Sequence, residues 1–183
     1  MGKEKKCTLY KKYTSYKKCI PYLILAGFTF FFCWWFVGRH GIFGAKVDWL
    51  SQHSVLPAYF RQQFYATGKI FPEFAPNLGG GQNIYHFAYY GLYSPLILPS
   101  YLLPFVKMSD YIMVISITGL TVSVLLFYYW LKSRKMDTGV AFIISLMFLL
   151  AGPMIGQYRG QNMFVDYMTF LCLQFIGVER YFE

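Results

Sequence analysis

Residues 20–37 read IPYLILAGFTFFFCWWFV, and residues 1–19 before them read MGKEKKCTLYKKYTSYKKC. The first string carries no charge and is long enough to cross a bilayer, for which about 17–25 apolar residues suffice. The second holds seven lysines, Lys3, Lys5, Lys6, Lys11, Lys12, Lys17 and Lys18. Positive flanks stay in the cytoplasm, so the amino-terminus is expected inside and Val37 outside. A secretory signal has a shorter apolar centre, of about 7–15 residues, followed by small residues at a cleavage site. Here the run ends in Trp34-Trp35-Phe36, bulky aromatics suited to a membrane interface. Residues 20–37 therefore read as a retained span behind a basic cytoplasmic tail of residues 1–19.

The rest of the composition agrees. Of 183 residues, 56% are hydrophobic and 22% aromatic, and only 14% are charged, against about 25% in soluble domains. The net charge of +9 raises the question of nucleic acid. Its concentration beside an apolar run is the pattern of a topogenic flank, so no nucleic-acid partner is expected. Cys7, Cys19, Cys33 and Cys172 show neither CxxC nor Cys/His spacing and read as structural residues.

Working outward, residues 38–110 form a long polar and aromatic connection on the outer side. Such a length points to function or to internal structure. Its last part, residues 92–106, is apolar but holds Pro95, Pro99 and Pro104. Residues 111–131 make a clean span ending in Lys132, Arg134 and Lys135. If residues 92–106 crossed the membrane, this second basic cluster would lie outside, against the positive-inside rule. Proline also removes backbone donors that lipid cannot replace. Residues 92–106 thus read as interfacial or re-entrant. A cytoplasmic loop 132–138, a span 139–156, an external turn 157–163, a last span 164–178 and a cytoplasmic end 179–183 complete the expectation. The fold class is an all-α integral membrane protein with about four transmembrane helices.

Within the external connection, residues 47–65 read VDWLSQHSVLPAYFRQQFY. Leu56, Phe60 and Phe64 recur at i, i+4 and i+8, the period of an amphipathic helix on the membrane surface, with Pro57 in its first turn and Arg61, Gln62 and Gln63 off the stripe. Asp48 lies just before it, near the exit of the first span. A carboxylate there is more often a solvated cap or an ion-pair partner. It could instead act as a general base toward a hydroxyl acceptor, or hold a divalent cation against a phosphate. Glu73, between Pro72 and Pro76, reads as solvated. Gly79-Gly80-Gly81 reads as a turn, since no Lys-Ser/Thr follows to make a phosphate loop. His53 and His86 are far apart and fit interfacial packing. Asp166 near the start of the last span needs a partner at that depth, and Arg159 in the preceding turn can serve.

Three blocks together, VDWLSQHSVLPAYFRQQF, NLGGGQNIYHFAYYGLYSPL and MFVDYMTFLCLQFIGVERYFE, resemble the amino-terminal part of the YfhO family of bacterial membrane proteins. The resemblance covers nearly the whole chain. It implies a GT-C-like glycosyltransferase in the cytoplasmic membrane, taking a sugar from a polyprenyl-phosphate carrier and transferring it outside to a cell-envelope polymer such as lipoteichoic acid. In such enzymes the first external loop carries an essential acidic residue and surface helices. The resemblance therefore favours Asp48 as the catalytic carboxylate. It leaves His53, Arg61, Glu73, Arg159 and Asp166 as substrate-binding candidates, with a divalent cation as a candidate cofactor and no defined metal ligands. Family members are several times longer, so the chain is expected to be an amino-terminal portion whose site is completed by later spans. A lipid-linked sugar transporter or flippase component, and a non-catalytic membrane scaffold, are the competing functions. The charge-free runs 20–37, 111–131 and 139–155 weigh against the transporter, which needs polar groups near the midplane.

Overall fold

The structure is a computed structural model that describes residues 2–40, 44–45, 47–152, 154, 156 and 163–182; for residues 2–17, 40 and 163–166 it describes the backbone. Helix α1 runs unbroken over Gly2–His40, so the basic stretch preceding the span is helical. Along α1 from Lys18, Leu25, Thr29, Cys33 and Phe36 are buried, a stripe at i, i+4, i+8 and i+11. The other faces are apolar yet bare, with Leu23 69% and Trp34 71% exposed. A helix apolar all round with one buried stripe needs lipid against the remainder, because water-exposed apolar surface of that extent is not tolerated in soluble monomers.

Helix α2 spans Val55–Thr67, α3 Met108–Ser133, α4 Thr138–Leu149 and α5 Met163–Phe182. By length and hydropathy, Lys18–Arg39 and Met108–Ser133 can each cross a membrane; α4 is apolar but shorter. At 1.5 Å per residue α3 is about 39 Å long, ample for a hydrocarbon core of about 30 Å. The end of α4 has a local cause. Proline at position 153 of the sequence has no N–H with which a helix could continue past Leu149.

Helix α3 is the hub against which α1, α4 and α5 pack. Tyr22 meets Tyr128 edge to face at 4.8 Å, so the amino-terminal part of the α1 span lies beside the carboxy-terminal part of α3, and the two run antiparallel. Helix α5 runs parallel to α3. Thr169 Oγ1 lies 3.0 Å from Ser123 Oγ and donates to the Gly119 carbonyl at 3.2 Å. One end further on, Phe175 lies against Trp130 and Glu179 receives Ser133 Oγ and Arg134. Buried Ser116, Gly119 and Ser123 give α3 a stripe of small residues. That stripe lets backbones approach closely, which is how helices associate where lipid removes the hydrophobic drive. The two basic stretches therefore sit at the same end of the bundle. Among the described residues, no helix between Arg39 and Met108 is long and apolar enough to cross a membrane.

The α3–α4 corner is stapled by Lys132 Nζ, which donates to the Met136 carbonyl at 2.7 Å and to Thr138 Oγ1 at 3.0 Å. Asp137 caps α4, its Oδ1 accepting from the Gly139 and Val140 amides at 2.8 and 3.3 Å. Those amides hold its carboxyl below the ordinary value of 3.8. A depressed carboxyl stabilises the folded state fully above its unfolded value and loses that contribution as pH falls through the folded one. Unfolding temperature in detergent should therefore drop as pH falls below about 3.8, with Asp137→Asn, which can still cap, removing Asp137's share of the slope. A Tm–pH curve unchanged by the substitution would show that the cap does not titrate.

The far end of the bundle is covered by residues 44–45 and 47–106. A turn of π-helix, Trp49–His53, leads into α2. Leu56 and Phe60 are buried and Phe64 packs beside them, as the spacing predicts, with Pro57 harmlessly in the first turn. Tyr59 and Gln63 are buried too, so the covered face is wider than the three-residue stripe. Gly68, at φ 71°, closes α2 by donating to the Phe64 carbonyl. A short antiparallel hairpin, β1 (Phe74–Ala75) with β2 (Gln82–Asn83), pairs Phe74 with Asn83 and Ala75 with Gln82. Its turn contains Gly79-Gly80-Gly81, all at positive φ. These strands have no alternation long enough to read in the sequence. Turns of 3₁₀-helix at Ile84–Tyr90 and Leu98–Leu102 carry the chain back to α3.

Candidate functional site

The chain leaves α1 through Gly44, whose φ is 115°. A Cβ there would stand 2.3 Å from Trp49 Cγ. Only glycine lets the backbone lie flat on that indole, and Trp49 is thereby buried to 2% exposure among the residues of the helix bundle. Asp48 precedes it at the start of the π-helical turn, half-buried, with helical backbone angles and no capping hydrogen bond from its side chain. Single π turns inside helical segments recur at functional sites, because the extra residue redirects side chains. Here the turn sets Asp48 at the far end of the bundle, on a rigid base made by Trp49.

His53 lies five residues on, buried to 1% exposure with its ring 5.4 Å from that of Tyr90. Tyr90 in turn donates to Gln52 Oε1 at 2.8 Å. His53 thus shares the π turn with Asp48 but packs into the cover rather than lining an open path. His86 is exposed.

Arg61 does something that its sequence position does not announce. Its guanidinium donates to the carbonyls of Ser100 at 3.4 Å, Leu103 at 3.1 Å and Val106 at 2.9 Å. Tyr65 adds a hydrogen bond to the Tyr101 carbonyl, and Tyr111 one to that of Leu96 at 2.7 Å. The Ser100 and Leu103 carbonyls already accept the Leu103 and Val106 amides within the segment, so Arg61 adds a second donor to each and ties the segment to α2, while Tyr111 ties it to α3. The five-donor fork of arginine suits several carbonyls at once. Burial pushes the Tyr101 hydroxyl, on the same segment, up to about 12. Arg61→Met should destabilise the protein by about 2 kcal/mol, the scale of hydrogen bonds to a charged group, and expose residues 98–106 to protease. Wild-type cleavage rates would contradict this role.

Glu73 is exposed and pairs with Lys69 at 3.0 Å, as a solvated carboxylate does. Asp166 lies in the first turns of α5. Given the pairing of Thr169 with Ser123 and Gly119, its backbone is level with the middle of α3, about 15 Å from the Met108 end. Arg159, its expected partner, lies outside the described residues. The structure therefore puts Asp48 and His53 at the two ends of one π-helical turn, sets Arg61 in the cover against residues 100–106, and leaves Glu73 apart. Among the described residues, no group of three or more His, Cys, Asp or Glu side chains comes together as a metal cluster. The anchoring pair Gly44 and Trp49 was missed in the sequence, where the only signal was a tryptophan directly after the candidate acid.

A model of the family described as bacterial membrane protein YfhO matches residues 18–183. The chain belongs to the YfhO family. Comparison with curated proteins and with solved structures gave no match. The match takes in both long apolar helices of this YfhO family member, the Asp48 turn and the whole cover.

Proposed function

We propose that this YfhO family member acts in sugar transfer at the outer face of the bacterial cytoplasmic membrane, as all or part of a GT-C-like glycosyltransferase. In this reading both basic stretches are cytoplasmic, α1, α3, α4 and α5 with the adjoining residues make four crossings, and residues 44–106 are external. The donor is a polyprenyl-phosphate sugar held in the bilayer, and the acceptor is a hydroxyl of an envelope polymer such as lipoteichoic acid. Asp48 takes the acceptor proton as the glycosidic bond forms and the carrier phosphate leaves. Arg159 and Asp166 are candidate contacts for the donor. A divalent cation could neutralise the leaving phosphate.

The observation that carries this reading is the placement of Asp48: a half-buried carboxylate on a π-helical turn, fixed by a buried tryptophan, at the end of the bundle opposite the basic stretches. A general base needs such a fixed position at the level where lipid-borne donor and aqueous acceptor meet. The test is an assay in sealed vesicles loaded with labelled polyprenyl-phosphate sugar. Label appearing on the acceptor polymer supports transfer. Label that changes leaflet without reaching the polymer would replace this reading by a lipid-linked sugar transporter, and no change in either would favour a scaffold.

A further inference from the structure

At the basic end of the bundle, a cavity of about 550 Å³ opens between α1 and the α3–α4 corner, lined by Lys18, Pro21, Tyr22, Tyr128, Lys132 and Thr138. We propose that it binds the headgroup of an anionic phospholipid. Two ammonium groups reach it from different helices. Lys132 Nζ is held in place by the Met136 carbonyl and Thr138 Oγ1, which leaves one of its three protons for a ligand. Lys18 makes no hydrogen bond or ion pair among the described residues and is exposed. The carboxylate of Asp137, which accepts from the α4 amides, also attracts the Lys132 ammonium and offsets part of its charge, so two ammonium groups face one carboxylate and the cavity keeps a net positive charge.

The level of the cavity in the bilayer selects a lipid. Lys18 stands directly before the apolar run of α1, and Lys132 directly after that of α3. Both therefore lie where the phosphates of the adjoining leaflet lie. The wall is otherwise apolar, made by Pro21 and the crossed rings of Tyr22 and Tyr128. Leu23 and Ile24 on the next turn of α1 are exposed and offer acyl chains an apolar surface. Basic pockets between transmembrane helices on the cytoplasmic side are where anionic headgroups bind. A lipid held here would bridge α1 to the α3–α4 corner and fix their spacing.

The test uses the purified chain in detergent with fluorescent phosphatidylglycerol and phosphatidylcholine. Phosphatidylglycerol should bind more tightly. Lys18→Gln and Lys132→Gln should each weaken it about five-fold, the worth of one lysine at a charged membrane surface. Lys135→Gln, an exposed lysine at the same end of the bundle that does not line the cavity, controls for diffuse attraction and should leave binding unchanged. Lys18 is exposed, so Lys18→Gln decides the matter if Lys132→Gln loosens the corner. Equal affinity for the two lipids, an equal loss with Lys135→Gln, wild-type affinity in Lys18→Gln, or displacement by millimolar inorganic phosphate would each overturn the proposal.

Discussion

Asp48→Asn should abolish sugar transfer to the envelope polymer and leave the amount of protein in the membrane unchanged. The carboxylate makes no capping hydrogen bond, so its charge is not consumed in holding the π turn together. Asparagine keeps its shape and removes only the ability to take a proton. Loss of a general base lowers turnover by about 10²–10⁴-fold. Donor binding should change little, since the proton moves only as the bond to the acceptor forms. Glu73→Gln is the internal comparison. That carboxylate pairs with Lys69 in solvent, and its loss should leave transfer near wild type, because exposed pairs contribute about 0–1 kcal/mol. Transfer surviving in Asp48→Asn would remove this residue from the chemistry and with it the present assignment of the site.

Trp49→Ala should cause the largest loss of stability of any single substitution in the cover, about 3–5 kcal/mol for a buried aromatic truncated to alanine. The indole joins the π turn to the bundle core, so the loss should appear both as a lower unfolding temperature in detergent and as faster proteolysis between Gly44 and α2. Gly44→Ala should destabilise for two reasons. Its φ of 115° strains any L side chain, by about 1–3 kcal/mol, and its Cβ would collide with the same indole. Only the second reason disappears when the ring is removed. The double substitution should therefore cost less than the sum of the single ones, because residues in contact do not add. Strict additivity would show that glycine and tryptophan do not act as the unit that positions Asp48.

The legible part of this protein was everything that depends on local composition and on the bilayer. Lysines beside an uncharged run and a second basic cluster after residues 111–131 were enough to expect both basic stretches at one end of the bundle, where the packing of α1 on α3 puts them. Period and proline position also marked α2, because a surface helix buries a stripe that repeats along the chain. What was not legible depends on partners far apart in sequence. Arg61 looked like an off-stripe polar residue suited to substrate, yet it donates to carbonyls 39–45 residues away. His53 looked interfacial and is buried against Tyr90. The short hairpin has strands of two residues, too few for alternation to show.

The uncharged run 20–37 by itself determined that the chain belongs in a membrane, because transfer of apolar residues out of water depends on nothing beyond the segment. Only the tertiary structure decided how the far end is built. Which carbonyls Arg61 reaches, and how Trp49 packs into the bundle over Gly44, are facts of tertiary packing, and the second of them sets the base on which Asp48 stands.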